Sequence, residues 1–198
     1  MNDKSRQTNA AKYLLQLCSS TQYSCNSDKL SVLVLLAHFA CLVENRHGLI
    51  DNEYICADVT GLHLASLKDI TPIHNTGYHD KIQQIDDVCK LPQTDFKPLF
   101  RYDEEIINDA ENILRQTFLS FGAYPAETLD EITTQMSIYP KINFYAFPGG
   151  SLLLPQQAVN EYVNRLILAY DEYPDGVDII RSLVSDALQA INEKKGTK

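Results

Sequence analysis

The feature that most constrains this chain is one apolar run of helical length, SDKLSVLVLLAHFACLVE, at residues 27–44. In a helix built from this run, Leu33 and Ala37 lie on one side and Leu35 and Phe39 on the other, so apolar side chains point in almost every direction. A helix that is apolar nearly all round is a buried one. The run therefore predicts a single central helix on which the rest of the chain packs.

Residues with known preferences for helix ends flank this run. Ser27 and Asp28 can accept hydrogen bonds from the N–H groups of a first helical turn. At the other end, Arg46, His47 and Gly48 are typical of a helix terminus. The sequence thus predicts both boundaries of the central helix.

Apolar periodicity along the remaining chain predicts mostly helices. These helices are predicted at residues 8–18, 63–70, 103–121, 125–135, 157–170 and 178–191. Strands or small hairpins are predicted at residues 49–60 and 141–154, and an irregular connection at 71–98 with at most a short helix or strand near 81–89. The predicted fold is therefore mainly α, a compact single domain over residues 1–198 around one buried central helix, with one or two small β-hairpins.

The net charge bears on the class of partner. The 198-residue chain carries 17 Lys and Arg against 26 Asp and Glu, which gives a formal charge of -9. Phosphate backbones and anionic lipid repel a chain of this charge, so nucleic acid and membranes are disfavoured as partners. A basic protein surface is the complementary partner.

Cysteine usage and segment lengths predict a cytoplasmic protein. The five cysteines include no CxxC pair, which is typical of thiols in a reducing compartment. Residues 1–12 are polar and lack the apolar core of a secretion signal. The apolar stretch at residues 32–43 is shorter than the roughly 20 residues that a membrane-spanning helix needs.

One segment holds the residues from which a metal site would be built. His74, His79, Asp80 and Cys89 are all potential ligands, and a small metal-dependent hydrolase would use them. However, the spacing of the two histidines is not that of ligands on one helical face, and the set matches no paired zinc motif. The sequence therefore predicts no metal and no cofactor, with this hydrolase kept as an alternative.

Other candidate nucleophiles and bases have a simpler structural account. Cys18 and Cys41 lie on apolar helical faces and are expected to pack as small hydrophobic residues. His38, inside the apolar run, is better explained as a core histidine bonded to a carbonyl than as a catalytic base. Cys56 is less determined, and no pairing with His63 can be established from the sequence. The sequence therefore predicts no catalytic residues and a protein that is not an enzyme.

Tyrosine is frequent in this chain, with eleven Tyr and no Trp. Five of them lie in the final third, namely Tyr139, Tyr145, Tyr162, Tyr170 and Tyr173. Because Tyr is enriched at interfaces, one hypothesis is a structural or assembly protein of a phage or mobile element with a homo-oligomer interface here. Half-burial of these rings at the edge of a helical core is the simpler account.

Two stretches carry a likeness to a known family. The first joins NAAKYLLQLC to DKLSVLVLLAHFACLVENRHGLID, and the second is LFRYDEEIINDAENILRQTFLSFGAYPAETLDEITT, with its acidic helix start and Phe-Gly turn. In order and spacing these elements resemble the Panacea domain, a phage-associated family of SocA-like antitoxins, over residues 9–170. The helix at 178–191 is an addition to that pattern.

The resemblance implies a mainly helical module that neutralises a toxin by direct binding, in some members by delivering it to a protease. Departures from the family's hallmark residues are clear: Asp58, Thr60 and Leu62 stand where it has Trp, Tyr and Pro. The hallmark positions are the expected partner-binding residues, here Asp58, Thr60, Gly61, Leu62, Thr134 and Tyr139. The leading hypothesis is a non-enzymatic cytoplasmic module that binds a protein partner such as a toxin.

Overall fold

The computed structural model describes residues 3–46, 48–49, 55–64, 83–85, 88–90, 104–144, 150–169 and 175–196. Within these ranges the helices are α1 (Asp3–Ser19), α2 (Ser27–Asn45), α3 (Glu104–Phe121), α4 (Ala126–Gln135), α5 (Gln156–Ala169) and α6 (Gly176–Gly196). The strands are β1 (Ile55–Ala57), β2 (Leu62–Leu64), β3 (Gln83–Ile85), β4 (Val88–Lys90) and β5 (Leu152–Leu153). The prediction of a mainly α fold with small β-hairpins is confirmed.

Helix α2 lies at the centre of the fold, as its composition predicts. It packs against the other five described helices and against β2, and all its residues from Lys29 to Cys41 are buried. The cap of its first turn is Asn26, whose Oδ1 accepts a hydrogen bond from the backbone N of Lys29 at 2.9 Å. The predicted cap residues Ser27 and Asp28 are instead the first two residues of the helix. At the other end, Arg46 takes the left-handed conformation that ends a helix, with φ 61°.

Three strands form a small antiparallel sheet in the order β2-β1-β5. The pairing of β1 with β5 places Ala57 opposite Leu152. On the other edge, the backbone N of Leu64 in β2 donates a hydrogen bond to Ser31 Oγ of α2 at 2.6 Å, which attaches the sheet to the central helix. Strands β3 and β4 form a separate two-stranded antiparallel sheet within the connection that the sequence predicts to be mostly irregular.

The structure bears on two predictions about β structure. The helix predicted at residues 63–70 starts in strand β2, and residues 65–70 lie outside the described ranges. The chain turns back at Gly61, so β2 returns beside β1 and satisfies its backbone groups in a ladder. The hairpin predicted within residues 141–154 lies partly on residues 145–149, outside the described ranges. Of its described residues, 141–144 form no strand, and the SLLL run pairs with an edge of β1.

Helices α1 and α6 are longer than the sequence predicts. Helix α1 begins at Asp3 and α6 covers Gly176–Gly196, because polar residues at helix ends carry no apolar periodicity from which a boundary could be placed. Within the described ranges, no helix combines the length and the apolar composition that crossing a bilayer needs.

Candidate functional site

The turn between β1 and β2 is organised by the side chain of Asp58. The backbone N of Asp58 donates a hydrogen bond to the carbonyl O of Gly61 at 3.0 Å. Its Oδ1 accepts hydrogen bonds from Thr60, from the backbone N at 2.8 Å and from the hydroxyl Oγ1 at 2.5 Å. Asp is suited to this position because its short side chain reaches the backbone two residues on. The turn is therefore held by its own residues in one conformation.

Gly61 brings this turn into close contact with the end of helix α4. Its φ of +153° is one that residues with a Cβ rarely adopt, and a Cβ placed there would lie 2.2 Å from Thr133 Oγ1. The next residue, Leu62, donates its backbone N–H to Thr133 Oγ1 at 2.8 Å, and that hydroxyl donates to the carbonyl O of Asp130 at 2.8 Å. The hairpin is thus attached to α4 through one buried threonine hydroxyl.

Tyr139 fixes the same turn from a second side. Its hydroxyl donates a hydrogen bond to the carbonyl O of Asp58 at 2.6 Å, and its half-buried ring packs on Phe144, with the ring centroids 5.8 Å apart. The segment that follows α4 is therefore tied to the hairpin. Five of the six residues expected to bind a partner, Asp58, Thr60, Gly61, Leu62 and Tyr139, consequently belong to one connected structure.

Thr134, the sixth of these residues, makes different contacts. Its hydroxyl donates to the carbonyl O of Glu131 at 2.7 Å and accepts from Gln135 Nε2 at 2.8 Å, both within α4. The contact with the hairpin is made by Thr133, which sequence reasoning did not select as a site residue. A signal for Thr133 exists, because it lies four residues after the buried Leu129 on the inward face of the helix.

The hairpin also carries an acid and an imidazole in proximity. His63 Nε2 lies 3.7 Å from Asp58 Oδ2, so the two form an ion pair when His63 is protonated. In the register of the two strands, Cys56 lies opposite His63, which the sequence alone could not establish. Cys56 is buried. Among the described residues, no group of three or more His, Cys, Asp and Glu side chains is arranged to hold a metal ion.

Exposed apolar side chains border the turn. Val59 at its tip is 45% exposed, and Leu152 and Leu153 of the neighbouring strand β5 are 40% and 54% exposed. The pairing of Ala57 with Leu152 brings β5 alongside the strand that leads into the turn. We call the following six residues the hairpin surface: Asp58, Val59, Thr60, Tyr139, Leu152 and Leu153.

The other residues that the sequence singles out lie in the core or outside the described part of the chain. His38 is fully buried in α2. Cys41 is also buried, and this burial raises the pKa of its thiol to about 12. Neither the position nor the protonation state of Cys41 therefore suits a nucleophile. Tyr162 lies in the core, away from any surface. The side chains of the proposed metal ligands His74, His79, Asp80 and Cys89, and those of Tyr145, Tyr170 and Tyr173, lie outside the described part of the chain.

Replacing Thr133 with valine is expected to lower the free energy of unfolding by about 2 kcal/mol, because it leaves the buried N–H of Leu62 without its acceptor. The neighbouring change Thr134→Val is the matched control, since that hydroxyl bonds only within its own helix among the described contacts. Its expected effect is within about 0.5 kcal/mol. Urea denaturation of both variants measures the difference, and equal losses would contradict the attachment through Thr133.

No family model matches this chain, and neither the curated proteins nor the solved structures contain a match to it. The resemblance to the Panacea domain therefore stays a prediction. The hairpin surface is the candidate site that the geometry of the described residues supports.

Proposed function

We propose that this protein is a binding module that acts by covering a surface of a protein partner with its hairpin surface. The observation that carries the proposal is the exposure of Val59, Leu152 and Leu153 beside a turn whose backbone is already fixed. A group of exposed apolar side chains rimmed by polar residues is the kind of surface that marks a site of protein contact. The activity is binding, without chemistry on the partner.

The rigidity of the turn supports this proposal. Hydrogen bonds from Thr60 to Asp58, from Leu62 to Thr133 and from Tyr139 to Asp58 hold the turn before any partner arrives. A surface that is already ordered loses little conformational entropy on binding, so more of the contact energy contributes to affinity. Such a surface suits a binding function better than a mobile loop would.

Charge supports a basic partner. The chain has a formal charge of -9. Complementary charge raises the rate of association and sets the choice of partner. A toxin that acts on nucleic acid has a basic surface. A toxin partner of this class agrees with the resemblance to the cytoplasmic SocA-like antitoxins. We therefore assign the partner to the class of basic proteins.

The test is co-purification from native cells with two charge-matched variants as bait. Val59→Asp changes the hairpin surface, whereas Leu168→Asp changes an exposed position on α5, where the leucine is 80% exposed. Each variant adds one negative charge at an exposed site, so neither changes the core. One basic protein is expected to be recovered with the wild-type chain and with Leu168→Asp, and to be reduced roughly tenfold or more with Val59→Asp.

Two results would count against the proposal. The first is recovery of the same partner by wild type and Val59→Asp alike, which would place the interface elsewhere. The second is the absence of any stoichiometric protein partner from native cells. Circular dichroism of the two variants confirms that each remains folded.

A further inference from the structure

The two edges of the three-stranded sheet are covered to different extents. At the β2 edge, the backbone N of Leu62 donates to Thr133 Oγ1 of α4 at 2.8 Å. Two residues on, the backbone N of Leu64 donates to Ser31 Oγ of α2 at 2.6 Å. Unpaired N–H groups at a sheet edge are a template for another strand, and these two hydroxyls occupy them at β2. The opposite edge strand, β5, has no such cover among the described residues.

The hydrogen bonds between β1 and β5 show which way the backbone of Leu153 points. In an antiparallel pair of strands, residues that exchange hydrogen bonds alternate with residues that do not. The backbone N of Leu154 donates to the carbonyl O of Ile55 at 2.8 Å, so these two residues belong to a bonded pair. Leu153, opposite Cys56, is therefore in a non-bonded pair. Its N–H and C=O consequently point away from β1, toward the outer edge of the sheet.

The chain around β5 is uncharged, and its surface is apolar. Leu152 and Leu153 are 40% and 54% exposed. Charged residues make up 22% of the whole chain, yet residues 142–160 include none. Native sheets protect an edge by charged side chains, by Pro in the strand, by a covering element or by a short strand. In the described part of the chain, β5 has only its shortness, which limits the edge to a few backbone bonds.

We propose that the partner adds an extended strand to β5 and pairs its backbone with the N–H and C=O of Leu153. The inference rests on the proposed function, because Leu152 and Leu153 belong to the hairpin surface. In strand addition the backbone bonds give affinity, and alternate side chains of the added strand give specificity. The added strand is expected to carry apolar residues at alternate positions, next to the two exposed leucines, and Lys or Arg at its ends.

Charge favours a basic partner strand over a second copy of this chain at the β5 edge. Two copies would each bring a formal charge of -9, and like charges oppose association. A strand with basic ends is attracted by the same charge, while its apolar centre lies against an edge segment that has no charge to desolvate.

The test uses synthetic peptides of about nine residues that alternate threonine with one type of apolar residue and carry lysine at each end. Fluorescence anisotropy measures their binding to the full-length chain. Leu153→Pro removes the outward N–H but no bond to β1, and Pro is tolerated where an edge N–H faces solvent. Leu153→Val is the matched control because it keeps the N–H. Leu153→Pro is expected to weaken the best peptide roughly tenfold or more, and Leu153→Val less than about threefold.

Amide hydrogen exchange of the wild-type chain tests the same contact without any variant. At a saturating concentration, the best peptide is expected to slow exchange at the Leu153 N–H roughly tenfold or more. The N–H groups of Leu62 and Leu64 are internal controls, because both are already bonded within the fold. Their exchange is expected to stay unchanged.

Four results would overturn the added strand. They are failure of every peptide to bind, unchanged exchange at Leu153, equal weakening by Leu153→Pro and Leu153→Val, and a wild-type dimer in analytical ultracentrifugation that Leu153→Pro dissociates. The last result would assign the edge to a second copy.

The co-purification separates failure of the added strand from failure of the proposed function. If Val59→Asp reduces recovery of the partner and Leu153→Pro does not, the hairpin surface binds the partner without an added strand. If neither variant reduces recovery, both proposals are wrong.

Discussion

Replacement of Phe39 by alanine is expected to lower the free energy of unfolding by about 4 kcal/mol, within the range for truncating a buried aromatic side chain. Phe39 is fully buried in α2, and its ring meets the ring of Tyr162 in α5 edge to face, with the centroids 5.3 Å apart. The change removes this aromatic contact and leaves a cavity between two helices. Urea denaturation with fixed baselines measures the loss.

Two further variants separate this effect from a general response to mutation. Phe39→Leu keeps most of the apolar volume and is expected to lose about 1.5 kcal/mol. Leu168→Ala removes an exposed side chain from α5 and is expected to change the free energy of unfolding by less than about 0.5 kcal/mol. A loss below about 1 kcal/mol for Phe39→Ala would contradict the central, enclosed position of α2.

The burial of α2 could be predicted because it depends on the composition of one segment. Apolar side chains such as Leu33 and Leu35 point in opposite directions from the helix, so each side needs a covering element whatever that element is. The sequence did not say which helices supply the cover. It also placed the cap at Ser27 and Asp28, because Asn26 has the same capping preference and only the backbone geometry separates these residues.

The conformation of the hairpin turn was predicted less well. Val59 and Thr60 favour extended chain by their β-branched side chains, yet both lie in the turn between β1 and β2. The local bonds from Thr60 to the Asp58 carboxylate and the backbone of Gly61 outweigh that preference. β-propensity is a preference for packing on a pleated surface, so it gives way where a side chain is exposed at a turn.

The attachment of the hairpin to α4 could not be predicted, because it joins residues far apart in the chain. Leu62 and Thr133 are 71 positions apart, and the bond between Tyr139 and Asp58 spans 81. Capping and turn preferences act over a few residues only, so they cannot indicate which helix end a turn will reach. The residues selected from the family resemblance include Thr134 and not Thr133, and a difference of one position on a helix changes the side that a residue faces.

Replacement of Gly61 by alanine is expected to lower the free energy of unfolding by about 3 kcal/mol, because two effects add at this position. Its φ of +153° is strained for any residue with a Cβ. The new methyl group would also lie 2.2 Å from Thr133 Oγ1 and 2.8 Å from the carbonyl O of Asp130, so the turn must move away from α4. Gly196→Ala is the matched control, since a Cβ there meets nothing within 4 Å.

A double variant identifies the physical cause of this loss. Thr133→Ala removes the hydroxyl that the Gly61→Ala methyl group would strike, so the loss in the double variant should be smaller than the sum of the single losses by at least about 0.5 kcal/mol. Additive losses would mean that strain in the backbone, and not contact with α4, sets the effect. Because Val59 is carried by the same turn, Gly61→Ala should also weaken partner recovery in the co-purification, whereas Gly196→Ala should leave it unchanged. Loss of stability without loss of binding would separate the role of Gly61 in folding from the proposed role of the hairpin surface.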